Sequence, residues 1–295
     1  MWQICVRSAL VLASCGLAGC TTIPEAERRE SKTLFAWNAP ADPAPDEKVT
    51  ESSGVDPIVT DRPDFTEASS TVGKGRVQLE SGYTYVRDRS NGTTATLHSY
   101  PEALLRIGLF ADWFELRIGQ NLSSSRTSST GGPANDFGVN DLYLGTKLGL
   151  TEQRGLFPEA ALVLQALIPT GSRSITAGEV LPGANLLYGW TVIEDRLSIA
   201  GSTQVNRTLD ESNRGRALFA QSLTVGYTLT EKLGAYTEWF AFLPTRAPES
   251  GSEHYFNGGF TYKVTPNFQL DIRAGLGLNE RADGFFAGTG FAVRY

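Results

Sequence analysis

In Phe268-Gln-Leu-Asp-Ile-Arg-Ala-Gly-Leu-Gly-Leu278 every even position is apolar, and the odd positions are Gln269, Asp271, Arg273, Gly275 and Gly277. A period of two is the repeat of a β-strand whose faces meet different surroundings. Phe285-Phe-Ala-Gly-Thr-Gly-Phe-Ala-Val-Arg-Tyr295 repeats the device. From Arg76 onward the alternation predicts about twelve strands, at 76–87, 95–109, 113–122, 138–150, 159–168, 183–193, 196–206, 216–229, 232–243, 253–264, 267–278 and 285–295. Short connectors, such as Glu194-Asp195 and Thr265-Pro266, alternate with longer polar ones, such as Ser123 to Asp136 and Thr170 to Leu181. This pattern predicts an all-β fold: a transmembrane antiparallel up-and-down β-barrel with short periplasmic turns, longer extracellular loops and both termini in the periplasm. Trp113, Trp190, Tyr227, Tyr262, Phe268 and Tyr295 fall beside the short turns, where a headgroup layer buries a ring and solvates its polar edge.

If one face meets lipid, the other meets the lumen. Its charged candidates are Glu80, Glu102, Arg106, Glu115, Arg117, Asp141, Lys147, Glu238, Asp271, Arg273 and Arg294, joined by Gln78, Gln165 and Gln204. Both signs occur, so the set reads either as a self-neutralising network propping a narrow barrel or as a constriction sorting solutes by size and charge. Tyr143, Tyr236, Phe240 and Phe242 share that face and would give an aromatic solute an amphipathic route.

Composition fits this picture. The mean hydropathy of -0.18 reflects averaging over two unlike faces. A net charge of -6 without a basic cluster argues against nucleic acid as a partner. Cys5, Cys15 and Cys20 all lie in the first twenty residues, which removes disulfides, thiol catalysis and cysteine-ligated metals from the body of the fold. Residues 1–20, with Arg7 ahead of an apolar run, read as an export signal. Leu17-Ala-Gly-Cys20 resembles a bacterial lipobox, which would make Cys20 a lipidation site. Residues 21–57, with mixed charges and Pro40, Pro43, Pro45 and Pro57, read as a disordered periplasmic linker.

Residues 58–75 carry the sharpest non-repetitive motif: Asp61-Arg62-Pro63-Asp64-Phe65-Thr66, then a small-residue stretch from Ser69 to Gly75, and then Gln78, Glu80, Gly82 and Tyr83. In this order they resemble the start of the outer-membrane barrel transporters named for a putative meta-pathway of phenol degradation. The resemblance spans about residues 58–295 and implies uptake or efflux of small compounds, aromatic ones among them. It also marks the Gly290-Phe-Ala-Val-Arg-Tyr295 end as similar to the signal read by the barrel-insertion machinery. The expected partners are thus outer-membrane lipid, that machinery and a small solute. Physically, Asp61, Arg62 and Asp64 around Pro63, with Phe65, are expected to cap the barrel entrance and fix the first strand's register, with solute gating as the competing role.

Catalysis is poorly supplied. A serine hydrolase needs a histidine beside its nucleophile, and the chain has only His98 and His254. His98 adjoins Ser99, but neighbours on a strand point to opposite faces. His254 lies at the outer end of its strand, beside Ser252 and Glu253 in a loop. No cofactor or metal site is expected. The leading expectation is a passive channel, and the alternative is a closed structural barrel acting through its loops.

Overall fold

The computed structural model describes residues 32–35, 56–90, 93–129, 132–210, 212–245 and 251–295. The expected export signal, Cys20 and most of the expected linker lie outside the described residues. Strands follow in chain order: β1 (Val77–Ser90), β2 (Thr93–Gly108), β3 (Phe114–Ser129), β4 (Gly132–Val139), β5 (Leu142–Thr151), β6 (Glu159–Ile168) and β7 (Leu181–Ile193). Then come β8 (Leu197–Leu209), β9 (Gly215–Thr228), β10 (Leu233–Pro244), β11 (Glu253–Thr265), β12 (Phe268–Gly277) and β13 (Phe285–Arg294). Each pairs antiparallel with the next except β4 with β5, and β1 pairs with β13 (Gln78 opposite Arg294, Arg87 opposite Phe285), so the sheet closes. β4 and β5 both pair with β3 and form one stave broken at Asn140-Asp141. The result is a closed barrel of twelve staves.

Within the ring, closure removes every unpaired edge, the one way a sheet survives in lipid. The two faces differ as the alternation requires. On β12, Asp271 is 3% exposed while its neighbour Ile272 is 55% exposed. Leu164, Leu186, Leu223, Phe256, Phe260, Leu270 and Leu276 are likewise exposed around the outside. In water such a belt would be a severe aggregation surface; against acyl chains it costs nothing.

The rim that carries the connections between Gly108 and Phe114, Ile193 and Leu197, Thr228 and Leu233, and Thr265 and Phe268 is the short-turn rim. At the opposite, long-loop rim the structure corrects one expectation. Ser123 to Asp136 is not a loop: Leu122 to Ser129 pairs with Gly132 to Val139 as a hairpin projecting past the ring. β1 and β2 likewise run on to Ser90 and Thr93. Strand alternation fades there because no lipid lies against the outer face to enforce it.

Candidate functional site

The inside of the barrel is not open along its length. Residues 58–76 run within it and bond to inward side chains of β1, β2, β3, β5, β6, β9, β10 and β12. The segment starts at the short-turn rim, where the Ile58 amide donates to the Pro266 carbonyl. It leaves at Gly75, whose amide donates to the Gly108 carbonyl, and passes directly into β1.

Asp61 sits at the centre of the charged side. Its carboxylate accepts from Arg117 at 2.6 Å and Lys147 Nζ at 2.8 Å, with Arg106 at 3.4 Å. Behind these cations stand Glu80, 2.9 Å from Arg106, and Glu115, 2.8 Å from Arg106 and 3.3 Å from Arg117. Arg117 also reaches Glu67 at 3.1 Å. Wall carboxylates clasp the segment's backbone: Glu80 accepts the amides of Asp61 and Arg62, and Glu115 accepts that of Val72. Arg106, Glu80, Glu115 and Lys147 are fully buried. Each is paired, as a buried charge must be.

Arg62 lies along the wall over β1 and β13, between Asp271 of β12 at 3.3 Å and Glu102 of β2 at 2.9 Å. Its path runs over Gly82 and Gly290, which face each other on β1 and β13, and a Cβ at either would overlap the guanidinium. Glu102 reaches inward where the β1–β2 register slips between Glu80 and Thr84. Further along, Glu238 accepts from the Phe65 amide at 2.8 Å, from the Thr66 amide and hydroxyl at 2.7 Å each, and from Thr224 and Asn257. Arg273 donates to the Pro63 carbonyl and to Thr84.

The opposite side is aromatic. Phe65 stacks on Phe240 with centroids 4.6 Å apart, and Phe240 stacks on Tyr255 at 4.7 Å. Phe242 and Phe286 meet the stack edge-on or tilted, and Ala282 of the β12–β13 loop covers it. The segment thus has a charged latch at Asp61 and Arg62, a carboxylate clasp at Glu238 and an aromatic anchor at Phe65.

Electrostatics within the segment are split. Burial pushes the Asp61 carboxyl up, but Arg106, Lys147 and Arg117 outweigh it and hold it far below the usual carboxylate range. Asp64 goes the other way: burial, then the neighbouring Glu238 carboxylate, raises it well above that range. Glu67 is also raised, by burial that outweighs the nearby Arg117.

Two charged candidates stand apart from this network. Asp141, at the break between β4 and β5, accepts the amides of Gly171 and Ala177 and fastens the β6–β7 loop. Arg294 bonds Asn267 and the Asp56 carbonyl at the short-turn rim. Of the uncharged and aromatic candidates, Gln78 bonds Glu80, Gln165 bonds Tyr143 and Asn206, and Tyr236 bonds Asn257. Sequence reasoning missed the Glu67–Arg117 pair, the Ser69–Glu159 bond at 2.6 Å and the Tyr255–Phe286 part of the stack. Alternation along β11 places Tyr255 on the face of Asn257, so that signal was available.

Segment 58–76 divides the lumen. On its long-loop side lies a cavity of about 610 Å³ floored by Glu67, Glu102 and Arg117 and walled by Asn121, Tyr143 and Leu181. On the short-turn side are cavities of about 600 Å³, lined in part by Ser69, Lys74 and Arg76, and about 300 Å³, lined in part by Asp64, Thr224 and Lys263.

The histidines do not join this site. His98 faces outward and bonds the Tyr83 hydroxyl at 2.7 Å, while Ser99 faces inward to Asn121. His254 Nε2 lies 2.9 Å from Ser252 Oγ, with its ring stacked on Trp239.

Two of the solved structures similar in fold show the likeness. An outer membrane channel from Pseudomonas putida F1 superposes with a TM-score of 0.57 at 15% identity, covering 79% of this chain and 100% of the channel. The transport unit of the autotransporter AIDA-I from Escherichia coli gives a TM-score of 0.51 at 9% identity, covering 79% and 93%. At these identities the likeness is one of architecture. No curated protein matches the sequence. A family model does, over residues 60–295, from the Asp61–Thr66 motif through the last strand, and the chain belongs to the family described as putative MetA-pathway of phenol degradation.

Proposed function

We propose that this protein is a bacterial outer-membrane channel for small solutes, with segment 58–76 seated in its path. The observation that carries the reading is the cavities on either side of the segment, each lined by charged and apolar groups together, inside a wall whose outer face is apolar. A barrel built only as a scaffold has no need of a vestibule at each end. In this reading the short-turn rim and both termini are periplasmic, and the long-loop rim faces the medium. Residues 1–20 direct export, Cys20 is the lipidated residue, residues 21–57 tether the barrel, and the Gly290–Tyr295 end is read by the insertion machinery.

Tyr143 beside Arg117 in the long-loop cavity and Tyr236 beside Asp64 in a short-turn one suit solutes with both a polar group and a ring, so small aromatic compounds are the favoured cargo. Proteoliposome swelling with glycerol, a hexose and benzoate tests this. Swelling faster than in protein-free vesicles, with benzoate at least as fast as a hexose, is expected. No swelling from folded protein would favour the alternative, a closed barrel acting through its loops, which draws its support from the occupied mid-lumen.

A further inference from the structure

Three arginines at the long-loop rim take no part in the lumen. On β1, the inward residues are Glu80 and Thr84, so Arg87 and Arg89 point outward. Arg87 is directly opposite Thr96 of β2, and Thr96 is opposite Arg126 of β3, which places Arg126 on the same outer face. All three are exposed, and none makes an ion pair among the described residues. The nearest carboxylates by position, Asp88 and Asp136, fall on the inner face, where Asp136 accepts from Ser174. The outer face here reads Tyr85, Arg87 and Arg89 on β1, Thr94, Thr96 and His98 on β2, and Ser124 and Arg126 on β3, with no negative charge.

Their height is set by the strands. A tilted strand crosses the hydrocarbon in about 9–11 residues. Counted from the short-turn end, Arg87 is the eleventh residue of β1 and Arg126 the thirteenth of β3. The arginines therefore emerge where acyl chains give way to headgroups, just above the ring-bearing Tyr83, Tyr85 and His98. Arg87 and Arg89 are two residues apart, and Arg87 and Arg126 two strands apart, so the three Cα atoms lie within roughly 12 Å of one another. Guanidinium groups grip phosphate oxygens in pairs, which suits such a cluster to a headgroup bearing more than one phosphate.

We propose that Arg87, Arg89 and Arg126 form a binding site for the phosphorylated headgroup of the outer-leaflet glycolipid, lipid A. The proposal rests on the reading above that the long-loop rim faces the medium. What it adds is a specific lipid held against β1–β3.

Native mass spectrometry of the detergent-purified barrel, titrated with lipid A, tests it. R87S/R89S/R126S should bind lipid A about a hundredfold more weakly, at roughly fivefold per basic residue near an anionic lipid surface. R87K/R89K/R126K should recover part of the affinity. Phosphatidylglycerol and inorganic phosphate should compete poorly with the wild type. Equal lipid A affinity for the wild type and the serine variant overturns the proposal, as does equal competition by phosphatidylglycerol or inorganic phosphate. If the triple variant does not fold, R126S on the projecting hairpin should still lose about fivefold, and no loss overturns the proposal equally. The titration needs no orientation. Maleimide labelling of a cysteine at Ser128 on intact cells reports separately whether that rim faces outward.

Discussion

Replacing Asp61 by alanine should release segment 58–76 from the wall while leaving the wall intact. The carboxylate is buried and meets Arg117 at 2.6 Å, Lys147 at 2.8 Å and Arg106 at 3.4 Å. It also accepts the Ala68 amide at 3.0 Å. Removing one partner of a buried ionic cluster costs about 3–5 kcal/mol, because the remaining charges stay desolvated without compensation. That cost falls on the docked state, since withdrawal of the segment lets water reach Arg117 and Lys147. The docked-to-withdrawn ratio should therefore drop by roughly two to three and a half powers of ten. Amide exchange reads this ratio directly, because the amides of Asp61, Arg62, Phe65, Thr66 and Val72 all donate to wall carboxylates. They should exchange faster together, with the paired amides of β11–β12 unchanged. Asp61→Asn keeps the acceptor for Ala68 but not the charge, and should fall between. Unchanged exchange across the segment in a folded Asp61→Ala barrel would refute the latch.

Three other outcomes follow from the same geometry. Docking should weaken as pH rises from about the usual Asp value of 3.9. Burial and Glu238 hold the docked Asp64 carboxyl above that range, so the docked state binds the extra proton and loses its advantage as pH climbs through the raised value. Exchange of the segment against pH in Asp64→Asn should lose most of this dependence, and an unaltered profile would reject Asp64 as its source. Phe65→Ala removes a stack on Phe240 and an edge contact with Phe242, worth about 1 kcal/mol each beyond burial, so proteolytic cutting within 58–76 should quicken by tenfold or more. Ile272→Arg puts a charge on the outer face midway along β12, and should lower folding stability in vesicles by about 2–4 kcal/mol in urea titration; a neutral effect would mean that face does not meet lipid.

The strands and their closure were legible because lipid on one side and water on the other impose a period of two on every stave. Phe268 to Leu278 carries that constraint almost without error. The signal weakens where the constraint stops. Ser123, Ser124 and Ser125 lie beyond the apolar belt, so nothing selects between faces and a paired hairpin reads as a polar loop. The lumen was less legible for a different reason. Alternation sorts inward from outward, but it holds no information on partners. Asp61 meets Lys147 across 86 residues of chain, and Arg62 meets Asp271 across 209. Asp141 shows the limit on a single residue: strand parity assigns it to the lumen wall and it does line the long-loop cavity, but parity holds no hint that its carboxylate accepts the loop amides of Gly171 and Ala177. The depth reached by the Asp61–Phe65 motif was hidden too, since a short charged turn has the same composition at a rim or inside a ring.

The central claim is that the lumen is a solute path occupied by segment 58–76, and conductance across planar bilayers tests it most directly. Wild-type protein should give small, infrequent openings at neutral pH. Asp61→Ala/Glu238→Ala, which loses both the latch and the clasp, should give larger and longer ones. Silent traces from the double variant, with folding verified by its heat-dependent gel shift, would contradict the account.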